Sequence, residues 1–144
     1  MQPAITRLIS RHHVFTLATV SDQGSWTAHC FYAWMPDQEA LVFTSAPETR
    51  HGREMLENQS VSAGIALETT MVGKIRGIQL TGRALPADHA GKEDIAAACR
   101  SAYIHRFPFA IAAKLDLWIL YPDYIKMTDN RLGFGKKLEW RREE

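Results

Sequence analysis

The sequence predicts a small, mainly β protein of α+β type: a closed antiparallel barrel with two or three flanking helices. Three observations carry that prediction. Seven or eight short segments are rich in β-branched and aromatic residues, and most are joined by turns of Gly, Pro, Asp and Ser. So many short strands must hide their edges, and closing the sheet on itself hides them best. A length of 144 residues with 46% hydrophobic content suits one domain with its own core.

Each element has its own local reason. Ile5, Leu8 and Ile9 take the i, i+3, i+4 spacing of a short amphipathic helix over residues 4–11. After His12-His13, residues 14–20 are β-branched and apolar and form a strand, and Ser21-Asp22-Gln23-Gly24 is turn chemistry. Residues 26–35 make a long second strand, 36–39 a turn and 40–45 a third strand, which together give an antiparallel meander. Residues 47–58 read as a helix with Met55 and Leu56 turned inward. Strands follow at 61–67 and 74–85, the second interrupted by Gly77 and Gly82, where a bulge or a close backbone approach is expected. Residues 88–106 are the best helix, with Ile95, Cys99, Ala102 and Tyr103 on one face and Pro108 ending it. Two more strands, 115–121 and 124–128, precede a loop at 129–135 and a last strand at 136–142.

Composition and motifs exclude several functions. A net charge of +1 gives no electrostatic case for nucleic acid or an anionic membrane as an obligate partner. Residues 1–7 lack a signal peptide's apolar stretch, and no apolar run approaches the roughly 18 residues of a membrane span. The two cysteines, Cys30 and Cys99, read as reduced thiols, so the expected location is the cytoplasm. The histidines lack metal-ligand spacing, and adjacent His12 and His13 would point to opposite faces of a strand, so no metal site is expected. Nucleophile-elbow, P-loop and dinucleotide fingerprints are missing too. No residue demands a catalytic role.

The informative stretch runs from Phe43 and Thr44 to Thr49, Arg50 and His51. A strand ends, hydroxyls follow, and a helix starts with a cation in its first turn. Bare amides and the positive end of the helix dipole suit a phosphate there, with Arg50 adding a charge-assisted fork. Capping is the commoner job for Ser45 and Thr49, and both readings stand open. Gln79, mid-strand beside glycines, is either a solvent-facing residue or an amide that reads the rim of a flat heterocycle. Trp26, Tyr32 and Trp34 share one face of the second strand, which suits a core, a dimer interface or the wall of a planar cofactor.

The order of these parts resembles the split-barrel flavoproteins related to pyridoxamine 5'-phosphate oxidase, in particular an uncharacterised bacterial branch. The stretches that carry the likeness are Thr49-Arg50-His51, residues 75–82 (IRGIQLTG), Arg106-Phe107-Pro108, and Thr128-Asp129-Asn130 running into residues 132–137 (LGFGKK). The resemblance implies an antiparallel split β-barrel and a homodimer holding two FMN molecules between its subunits. By the same likeness His29, Cys30 and Phe31 run along the flavin, and Phe43 and Thr44 contact its ring and ribityl chain. Thr49, Arg50 and His51 hold the phosphate, and Gln79 also touches the flavin. Lys136, Lys137 and Trp140 are placed to reach the partner's cofactor.

Departures from the family pattern shape the expected activity. The oxidases carry an arginine where this chain has His29, and a lysine a few residues on where it has an aromatic. Their C-terminal arginine and histidine signature, which grips the pyridoxal substrate, is absent, so oxidation of pyridoxamine 5'-phosphate is not expected. The resemblance points instead to an FMN-dependent oxidoreductase acting on another small molecule. Two alternatives stand beside it: a haem-binding protein of the same fold, with His12, His13, His29 or His51 as axial ligand, and a dimeric binding protein without cofactor. A deazaflavin in place of FMN is a further variant.

Overall fold

Alternation decides which way each strand faces. In β1 (Val14–Ser21), Phe15 and Leu17 are buried while Val14 and Val20 are exposed, the period-two pattern of a sheet covered on one side. β2 (Gly24–Met35) returns after a turn at Gly24, whose φ of +97° suits only glycine well, and β3 (Ala40–Thr44) completes the expected meander. β4 (Ser60–Ala66), β5 (Arg76–Pro86), β6 (Leu117–Asp129) and β7 (Lys137–Arg141) bring the sheet to seven strands, every pairing antiparallel. Six of them close in the order β1-β2-β3-β6-β5-β4, because β6 pairs with both β3 and β5, and β7 continues from the later half of β6. The molecule is described here from a computed structural model, over residues 1–91 and 93–144.

Among the described residues, three α-helices flank the barrel. α1 (Pro3–Arg11) sets Ile5, Leu8 and Ile9 into the barrel core, and α2 (Arg50–Glu57) contributes Met55. α3 (Glu93–Arg106) lies outside, with Ile95, Cys99 and Tyr103 against Ala33, Met35, Val42 and Ile119. One side of the sheet is thus covered by a helix. The outer side of β1, β4 and β5 is left bare.

Several boundaries differ from the sequence reading. The segments at 115–121 and 124–128 are one strand, β6, not two. Pro122 sits inside it at a register shift opposite Thr81 and Gly82, leaving Asp123 without a partner residue in β5. That extra residue flips the inward positions from Trp118 and Leu120 to Ile125 and Met127. Gly82 is required there, since a Cβ would lie 2.3 Å from the Tyr121 carbonyl oxygen. α2 starts at Arg50 rather than near Pro47, and its Leu56 is exposed, because the helix covers the barrel with a narrow stripe. The helix expected from residue 88 begins later: Ala87–His89 form a short turn and Gly91, at φ +83°, breaks the helical path. Residue 92, within that expected helix, lies outside the described residues.

Candidate functional site

β2 changes neighbours halfway along its length. Residues 24–31 pair with β1, whereas Tyr32, Ala33, Trp34 and Met35 pair with β3. The Tyr32 amide donates to the His13 carbonyl, so alternation turns the main-chain groups of Thr27, His29 and Phe31 away from β1. No strand meets that edge among the described residues. β3 ends at Thr44, and the chain leaves through Ser45-Ala46-Pro47 toward α2. The result is a strand edge with open donors and acceptors beside the start of a helix.

Thr49 caps that helix: its hydroxyl accepts from the Gly52 amide at 3.1 Å and donates to the Ala46 carbonyl at 2.7 Å. The capping reading of Thr49 holds, and its proton is committed. The Arg50 and His51 amides, by contrast, find no acceptor among the described residues. Arg50 is anchored through one nitrogen only: Nε donates to Glu54 Oε1 at 2.6 Å, and the guanidinium stacks 4.5 Å over the Trp26 ring. Its two terminal nitrogens stay open among the described residues. Glu54 is buried, and the bond from Arg50 holds its carboxyl below the ordinary glutamate range. His51 is half-buried with Nε2 3.4 Å from the Thr49 hydroxyl, and burial lowers its pKa, which favours the uncharged ring.

The other nominated residues fall in three places. Phe31 is exposed at the β2 edge, stacked on His13 and edge-on to Phe107, and the half-buried Thr44 hydroxyl lies 3.4 Å from the Tyr103 hydroxyl. Cys30 and Phe43 point into the core; burial pushes the Cys30 thiol up to about 11, and Phe43 packs edge-on against Phe15. Neither side chain offers a surface to a ligand. His29 and Gln79 stand on the bare outer face, in one cross-strand row that runs His29, Thr16, Gly64, Gln79, Lys126. The Thr16 hydroxyl lies 3.0 Å from His29 Nδ1. Small residues along this face leave a shallow trough of about 450 Å³ lined by Thr16, Ala18, Ser62, Gly64, Gln79 and Lys126. By the usual strand spacing His29 and Gln79 are roughly 14 Å apart.

Trp26, Tyr32 and Trp34 do share one face, but it is the inner one. Tyr32 is core, and Trp26 emerges at the strand's far end as the platform under Arg50. Sequence reasoning missed Trp26 in that role, and with it Glu54, Thr16 and Lys126. The Arg50–Glu54 pair was within reach, since i, i+4 is the spacing at which helical side chains meet. Among the described residues no three His, Cys, Asp or Glu side chains gather to hold a metal, and no helix is long and apolar enough to cross a membrane.

An antiparallel barrel opened along one strand, with a helix start beside the opening, defines the class to which known proteins can be compared. The model of the pyridoxamine 5'-phosphate oxidase family matches residues 1–122, and the chain belongs to that family. Within it the chain is 41% identical over 138 residues to a UPF0306 protein of Photorhabdus laumondii, covering 96% of this chain and 94% of that one. The fold is also that of a haem-binding protein from Mycobacterium smegmatis, with a TM-score of 0.74 at 19% identity over 93% of this chain. This chain spans 55% of the length of that protein. A FAD-binding protein from Mesorhizobium loti aligns with a TM-score of 0.68 at 15% identity, over 86% of this chain and 89% of its own.

Proposed function

We propose that the protein binds FMN along the open edge of β2 and works as a flavin-dependent oxidoreductase on a small molecule. The observation that carries this reading is that β2, whose main-chain groups at His29 and Phe31 are unpaired, meets at Trp26 the helix start where the amides of Arg50 and His51 are open. A flavin's heterocycle presents donors and acceptors that a strand edge can match, and its phosphate suits a helix start with a guanidinium above it. These residues fit the cofactor, with Arg50 as the cation and His51 a neutral donor or acceptor. A bound flavin supplies the redox chemistry, while the chain's residues bind and orient it.

In this proposal the site is completed by a second copy of the chain. Gln79 and Lys126 stand too far along the sheet to serve the edge of their own β2. Packing the bare outer faces of two copies together brings each Gln79 toward the other's open edge, and the small residues of the trough allow close approach. The neighbours' cofactors favour one second reading, haem. Its support here is the exposed His13 ring stacked 5.8 Å from Phe31, with Phe107 continuing the apolar surface.

A titration separates these readings. FMN added to purified protein is expected to lose fluorescence and to saturate at one flavin per chain. Arg50→Gln weakens FMN by about tenfold or more, the worth of a charged hydrogen bond, and leaves phosphate-free riboflavin unchanged. Equal FMN affinity in the variant contradicts the assigned phosphate position. A Soret band on haemin titration that His13→Ala abolishes, with no response to FMN, replaces flavin by haem.

A further inference from the structure

A second charged site lies at the α1 side of the barrel, away from the β2 edge. Ile5, Leu8 and Ile9 fix α1 over the core, which places Arg7 and Arg11, one turn apart, along the helix flank. β5 begins at Arg76, paired across the sheet with Asp129 at the end of β6, and the next turn supplies Arg131. These four arginines, with Asp129 and Leu132, line a cleft of about 90 Å³.

Its charge is lopsided. Arg131 takes both oxygens of buried Asp129, with Nε at 3.0 Å from Oδ1 and Nη2 at 2.7 Å from Oδ2, and its own amide adds a third bond. That clamp neutralises Arg131 and holds it still. Among the described residues Arg7, Arg11 and Arg76 have no carboxylate within ion-pair distance and no side-chain hydrogen bond. Four guanidiniums face one carboxylate in a chain whose whole net charge is +1. Like charges one turn apart on a helix repel by a few tenths of a kcal/mol in isolation. Crowding them around one concavity raises that cost unless an anion enters.

From this geometry we infer that Arg7, Arg11 and Arg76, beside the Arg131–Asp129 clamp, form a binding pocket for the phosphoryl group of a small molecule. A phosphomonoester carries nearly two negative charges and three acceptor oxygens, which match several forked donors better than a single carboxylate does. The volume decides how much of the ligand enters. It is well below the roughly 300 Å³ at which pockets begin to hold whole cofactors or drug-sized molecules. Only the anionic group fits, and half-exposed Leu132 at the lip is an apolar seat for what it is attached to.

Calorimetry on the full chain with two probes, inorganic phosphate and phenyl phosphate, against chloride of equal ionic strength, tests the site. The expected result, in chains that all carry Arg50→Gln so that the proposed flavin-phosphate position does not report, is saturable binding of a phosphoryl group, weakened about tenfold by Arg76→Gln and likewise by Arg7→Gln. Arg7 is an exposed helix residue, so its variant keeps the fold if Arg76→Gln does not. Tighter binding of phenyl phosphate assigns the pocket to an ester with an apolar body, and tighter inorganic phosphate assigns it to the free ion. Heat matched by chloride, or affinity unchanged in both Arg7→Gln and Arg76→Gln, overturns the inference. Loss on Arg50→Gln alone also overturns it, while leaving the flavin-phosphate reading intact.

Discussion

Arg50 serves two purposes through different atoms. Its Nε and ring-stacked plane belong to the fold, tied to Glu54 and Trp26, while its terminal nitrogens remain for a ligand. The same anchoring gives a pH signature. The bond from Arg50 depresses the folded-state pKa of Glu54, so the pair's stabilisation is fully present above the ordinary glutamate value and is lost as pH falls through the lower, folded one. Chemical denaturation from pH 6 to pH 3 is expected to show this loss, and Glu54→Gln is expected to flatten it. An unchanged pH slope in Glu54→Gln would mean the pair is open in solution. At this scale the sequence was readable for residue types but not for commitments. Thr49 and Arg50 were visible as a helix start; that the Thr49 hydroxyl is spent on capping, while the amides beside it stay open, depends on where Pro47 releases the chain.

β6 shows why element boundaries are harder to read than elements. Its two halves each look like a strand, and Pro122 between them looks like a break, since proline cannot donate to a ladder. The sheet accommodates it with one residue, Asp123, left unpaired with β5, and a glycine opposite. Along one edge β6 serves two partners, β3 before the bulge and β7 after it, and its pairing with β3 closes the barrel. Gly82→Ala is therefore expected to cost about 1–3 kcal/mol or more, the range for forcing atoms into a filled space, read as a lower midpoint in urea. Stability equal to the parent would show that the backbone at Tyr121 yields easily. The glycines themselves were legible: interruptions at Gly77 and Gly82 predicted close approach, and a Cβ on Gly77 would meet the Ile65 carbonyl at 2.7 Å.

For the whole molecule, the bare outer face is the feature that local sequence patterns hide. The row from His29 through Thr16, Gly64 and Gln79 to Lys126 joins five residues from five strands, and only the register aligns them. Periodicity could say that these residues face outward; it could not say that they face outward together. If two copies meet on that face, Gly64→Glu is expected to give a monomer by sedimentation, with an unchanged circular dichroism spectrum. The substitution is sterically mild, since the nearest atom to a Cβ there is 3.8 Å away. A Gly64→Glu protein that still sediments as a dimer places the contact elsewhere.

Everything functional turns on whether the open edge of β2 is where a flavin lies. Amide nuclear magnetic resonance of the intact chain during FMN addition addresses this directly. The expected result is large shifts at His29, Phe31, Arg50 and His51, with the paired residues of β3 unmoved. Shifts confined to other surfaces, or a spectrum that FMN leaves unaltered, would contradict the account.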